Sequence, residues 1–158
     1  MADRAGIVNR IQAILVAATK IDGSTAMFLQ VFPGEPLGLP VGGPYVAFWY
    51  LGDSPPPEGL QTIGNVMLHE RFQVMAFWPR QVERGTMETL ENEIWDANRR
   101  LKADFRGDSQ LNALVTDLDI TDSVVGFGGF PLDGRAAIYR TLEFELQIRD
   151  LEGESIAP

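Results

Sequence analysis

The chain has 158 residues, no cysteine, 45% apolar residues, and 13 Lys plus Arg against 22 Asp plus Glu for a net charge of -9. This length suits one domain with a substantial core, and without cysteine there is no disulfide, thiolate nucleophile or thiolate-bound zinc. A chain this acidic is poorly suited to gripping a phosphate backbone, which relies on Lys and Arg displacing counterions, and no run approaches the ~20 apolar residues that span a bilayer.

The acidic excess is concentrated in the second half, where residues 80–158 carry nine basic and sixteen acidic side chains. Such charge keeps a protein soluble, and it would also let a polyanion slide past without sticking. The start Met1-Ala2-Asp3-Arg4 lacks the basic-then-apolar order of a signal peptide. The expectation is a protein made and kept inside a cell, with no membrane partner.

Residues 4–19 predict a first helix, with Ile7, Ile11, Ile14, Leu15 and Ala18 on one face and Asp3 as its cap. Asp22-Gly23 predicts a turn, and the alternation of Met27, Leu29 and Val31 predicts a strand over 25–32. From Pro33 to Pro44 the chain reads PGEPLGLPVGGP, which excludes a helix or a central strand. Leu37, Leu39 and Val41 in that loop are apolar. They either tuck onto their own domain or dock on another subunit.

Tyr45 to Leu51 is apolar at every position and so predicts a strand covered on both faces. After the stiff run Pro55-Pro56-Pro57, residues 60–78 predict one long strand with a bulge at Gly64. Leu68, Phe72, Val74, Ala76 and Trp78 share one of its faces, and His69, Arg71 and Gln73 the other.

Thr86 to Phe105 predicts the central helix, with Thr86 as cap and Gly107 as stop. Leu90, Ile94, Ala97, Leu101 and Phe105 recur at spacings of four and three, and Trp95 widens their stripe. Next, Leu114, Leu118, Ile120 and Val124 alternate with polar residues as a half-buried strand. Gly126 to Gly134 predicts the return loop of a hairpin turning at Asp133-Gly134, with Phe127 and Phe130 at its tip. The last strand places Leu142, Phe144, Leu146 and Ile148 inward, and Glu143, Glu145, Gln147 and Arg149 outward.

The order predicts an α+β fold: a largely antiparallel sheet with the N-terminal helix and the long central helix packed on one face. Residues 1–150 form the single expected domain and 151–158 a flexible tail.

Catalytic and ligand-binding motifs are weak. His69 and Glu70 are strand neighbours and point to opposite faces, so they should not form an acid–base pair. Asp117, Asp119 and Asp122 lack the tight turn and closing Glu of a calcium loop. Gly126, Gly128 and Gly129 are followed by a strand, whereas phosphate-cradling glycines open a helix. Trp49, Trp78 and Trp95 are expected in the core. No cofactor or metal is expected.

The same stretches carry a family resemblance. A short first helix, a Pro/Gly-rich loop leading into an aromatic strand, and a long strand ending in FWP come first. The helix TLENEIWDANRRLKADF and the closing pair of stretches TDLDITDSVVGFG and YRTLEFELQIRD complete the set. In element order, size and loop character the chain resembles the small tail-terminator (tail-completion) proteins of long-tailed bacteriophages. That resemblance implies a structural protein rather than an enzyme, assembled in the bacterial cytoplasm and ending in the virion tail. Copies would form a ring, sixfold in the family, on the end of the tail tube. The ring would stop further tube subunits adding and present a surface to the head–tail connector, with DNA passing through without specific binding. The apolar loops make Leu37, Leu39, Val41, Phe127 and Phe130 the candidate subunit contacts. Three alternatives stand beside this reading. They are a head-completion or neck ring, a ligand-binding or enzymatic domain using the His69/Arg71 sheet face, and an acidic module that engages a basic protein.

Overall fold

The structure, a computed structural model, describes residues 4–39, 42–54, 67–79, 84–132 and 135–151. In chain order the elements are α1 (Arg4–Ala17), β1 (Gln30–Phe32), β2 (Tyr45–Ser54), β3 (Met67–Pro79), α2 (Arg84–Gly107), β4 (Asp117–Ile120), β5 (Val124–Leu132) and β6 (Arg135–Leu151). The sheet runs β1-β2-β3-β6, and β4 and β5 lie one after the other along the far edge of β6. Apart from β1, which is parallel to β2, all pairings are antiparallel. The α+β expectation therefore holds.

The main core lies between the sheet and the two helices. Period-two alternation places Phe72, Val74, Ala76 and Trp78 of β3 beside Leu142, Phe144, Leu146 and Ile148 of β6 on one face. Leu90, Ile94, Ala97, Leu101 and Phe105 of α2 and Ile7, Ile11, Ile14 and Leu15 of α1 close over it. Each such side chain taken fully out of water contributes about 1.5–3 kcal/mol, so this layer dominates the stability of the fold. An ion pair from Arg10 to Asp108 (2.6 Å) ties α1 to the residue after α2.

A smaller cluster lies on the opposite face, where Leu39, Tyr45, Ala47, Phe77 and Tyr139 are buried together. The predicted double covering of Tyr45–Leu51 therefore holds for Tyr45 to Phe48, while Tyr50 and Leu51 are exposed. A register slip separates Tyr50 from Gly52, and Gly52 sits at φ +105, a conformation that favours glycine.

Several boundaries differ from the sequence expectation. The strand predicted over 25–32 shrinks to β1. Asp22 accepts hydrogen bonds from the backbone of Ser24 and Thr25 and from the Thr25 hydroxyl, which holds a turn in place of strand. The first helix ends at Ala17, and its expected cap, Asp3, lies outside the described residues. The central helix begins at Arg84, so Thr86 lies within its first turn and is not the cap. The long strand is described from Met67, and Gly64 lies outside the described residues.

The strand expected from Leu114 starts only at Asp117, because Leu111, Asn112 and Ala113 all hold positive φ. The stretch read as a glycine return loop is itself β5, paired residue for residue with β6. Its glycines and Pro131 sit on an edge strand, where a missing donor and a weak strand former are tolerated. Residues 133 and 134, where the turn was expected, lie outside the described residues.

Candidate functional site

At the junction of β4 and β5 the pairing with β6 slips by one residue. Ile120 lies opposite Leu146, but Val124 lies opposite Glu143. The extra residue is accommodated at Thr121–Ser123, where Glu145 N donates to Thr121 Oγ1 and Thr121 N donates to Glu145 O. A one-residue slip exchanges the faces of everything beyond it. Val125, opposite Leu142, and Phe127, opposite Arg140, thereby come to the helix side of the sheet. Ser123 Oγ donates to Asn98 Oδ1 (2.5 Å), fastening the bulge to α2.

On that side an aromatic groove of about 630 Å³ opens between α2 and β5, lined by Glu91, Ile94, Trp95, Asn98, Val125 and Arg140. Trp95 follows Ile94 by one residue, about 100° around the helix. Ile94 therefore enters the core, while Trp95 faces the groove and is 63% exposed. The Arg99 guanidinium covers one side of the indole, 4.8 Å from a ring centroid. Phe127 is 65% exposed, and the Arg140 guanidinium stands 4.5 Å from its centroid.

Arg140 also donates from Nε and Nη2 to both carboxylate oxygens of Glu91 (2.8 and 2.9 Å) and from Nη1 to Gly126 O (3.1 Å). A bidentate fork of this kind fixes direction as well as charge. One guanidinium thus ties α2, β5 and β6 together and forms the end wall of the groove. Ile138, two residues before it on the same face, is exposed.

A second exposed apolar site lies near the other edge of the sheet. Leu29, just before β1, is exposed, and on the loop after β1 Leu37 is 94% exposed. Leu39, two residues further on, is only 4% exposed, because it belongs to the smaller cluster beside Tyr45 and Phe77. This corrects the expectation that Leu39 is a subunit contact. Val41 lies outside the described residues, as does the side chain of Phe130, whose backbone pairs with Ala137. Leu37 lies on the loop after β1 and Phe127 on β5, which pairs with β6.

Beyond the smaller apolar cluster, the outer face of the sheet carries paired polar side chains. Arg71 forms an ion pair with Glu145, and Gln73 donates to Glu143 (3.3 Å). The hydrogen bond from Arg71 holds the Glu145 carboxyl below its usual range, with burial opposing and the charge of Arg71 adding to the effect. Asp117 and Asp119 both bind Arg149, at 2.8 and 2.7 Å, an arrangement of strand-face ion pairs rather than oxygen ligands converging on a cation. Two further hollows lie against the helices. One of about 280 Å³ is lined by Lys20, Met27, Trp78 and Glu93, and one of about 380 Å³ by Arg10, Ile14 and Asp104. Arg71 lines none of these three hollows. The side chain of His69 lies outside the described residues.

The sequence reading placed Trp95 in the core and did not single out Val125, Ile138 or Arg140. A signal for the last was present: Arg140 is a charged residue at an inward position of the strand that continues through Leu142 and Phe144. Among the described residues, no helix is long and apolar enough to cross a membrane. Comparison with protein-family models and with curated proteins finds no match.

Proposed function

We propose that this chain is a structural assembly protein that works as a ring of identical copies, in the manner of the phage tail-terminator proteins it resembles. The ring caps the tail tube, stops its polymerisation and joins it to the head through the connector. The observation that carries the reading is the pair of exposed apolar sites, Leu37 on one side and Trp95 with Phe127 on the other. An isolated soluble molecule gains nothing by holding large apolar groups in water, and clustered ones mark contact sites. Two different sites suit a head-to-tail contact, which closes into a ring where the rotation from copy to copy allows. The net charge of -9 suits a passage that DNA crosses without being held.

Two measurements test this together. Light-scattering mass across a concentration series, with electron micrographs, should reveal a closed ring, sixfold by the resemblance. Added to polymerising tail-tube protein, the chain should cap the tubes and shorten them. A protein that stays monomeric at every concentration and leaves tube length unchanged is not a terminator.

A further inference from the structure

We infer that the occupant of the groove between α2 and β5 is the loop after β1 of a second copy, with Leu37 seated against Trp95 and Val125 and Glu35 reaching Arg99. This deepens the ring reading and rests on it.

Leu37 has the form of a knob. Pro33 and Pro36 limit the backbone before it, so little conformational freedom remains to be lost on docking, and proline-rich segments characteristically dock on aromatic grooves. The loop is held from within its own copy by Leu39, which is buried while Leu37 stands almost wholly in solvent. Neighbouring leucines therefore have opposite tasks: one anchors the loop and the other is presented.

The groove has the composition of a docking centre. Exposed Trp and Arg are among the side chains that most often dominate contact energies. Here Arg99 lies against the Trp95 ring before any partner arrives. The charges match as well. Arg140 is engaged by Glu91, but among the described residues no carboxylate pairs with Arg99, and no cation pairs with the exposed Glu35. Glu35 lies two residues before Leu37, so one docked loop can bring its carboxylate to Arg99 while Leu37 meets Trp95. A knob and a groove that differ from one another leave one of each free when two copies join head to tail. Repeated head to tail, they carry the assembly around.

The cysteine-free chain makes a clean test, because introduced thiols report alone. A mixture of the Leu37→Cys and Val125→Cys proteins, mildly oxidised, should give a disulfide-linked pair that neither protein gives by itself. The chain carrying both changes should give a ladder ending at the closed ring. Trp95→Ala should weaken association by about thirty-fold, the loss typical of a central aromatic anchor. Glu35→Arg and Arg99→Glu should each weaken it, and the two combined should restore it. Linkage of Leu37→Cys to itself, or an oligomeric wild type with no link in the mixture, overturns the knob-and-groove contact and leaves the ring standing. A wild type that stays monomeric, with no link in the mixture of variants, sinks both.

Discussion

Along β6 the inward face is covered from Leu142 to Ile148 and open at Ile138, with the half-buried Arg140 between them, although the alternation runs through both parts. Length explains the difference. The apolar stripe of α2 from Leu90 to Phe105 extends about 22 Å at ~1.5 Å per residue. The inward row of β6 from Ile138 to Ile148 extends about 34 Å at ~3.4 Å per residue. The inward row outruns the apolar stripe, and its uncovered end, joined by β5, is where the aromatic groove lies. The same division appears around α2, where Ile94 enters the core and Trp95 does not. A surface for a partner here consists of core-type side chains continued past the point where their own helices can cover them.

The largest expected effect separates the two kinds of side chain on one helix. Leu101→Ala removes a side chain with no solvent exposure and should lower unfolding stability by about 2–5 kcal/mol, read from urea denaturation. Trp95→Ala removes a larger side chain yet should cost no more than about 0.5 kcal/mol, as a surface change does. Equal losses would mean that the indole is covered within its own copy, and the contrast between the two regions would fail.

A smaller difference is expected across two residues of the loop. Leu39→Ala should cost about 2 kcal/mol, the low end for a buried leucine, because the loop can partly collapse onto Tyr45 and Phe77. Leu37→Asp should leave the denaturation midpoint unchanged while abolishing assembly. A destabilised Leu37→Asp protein would show that this side chain supports its own fold.

What could be read from the sequence follows the same division. The stripe of α2 and the row Leu142 to Ile148 were legible because burial on one face imposes a period, and period survives in sequence. The bulge at Thr121–Ser123 was not, because one inserted residue changes every later face without changing composition. Val124 was therefore placed inward, although it sits opposite Glu143. Leu37 and Leu39 share a loop, a residue type and a glycine neighbour, so only the tertiary path of the loop distinguishes them. Trp95 was placed in the core by its chemistry, since a stripe of ordinary width admits it and the extent of the covering sheet is not a local property. Phe127 was read as a loop tip and a candidate contact, because Gly126, Gly128, Gly129 and Pro131 outweigh the strand signal when the pairing partner is unknown.

The smallest expected effect concerns the outer face of the covered half, where polar side chains balance one another and leave nothing for a partner. Glu145 is paired with Arg71, and its folded pKa lies below the ordinary value of 4.5. A depressed carboxylate contributes stability that is complete above its unfolded pKa and is lost as pH falls through its folded pKa. The stability difference between wild type and Glu145→Gln should therefore be constant above about pH 5 and shrink steadily below pH 4, measured by thermal melting in matched buffers. Assembly at pH 7 should be unaffected by the change, since Glu145 faces away from the groove. An assembly defect in a folded Glu145→Gln protein would move the contact to the outer face and reverse the roles of the two regions.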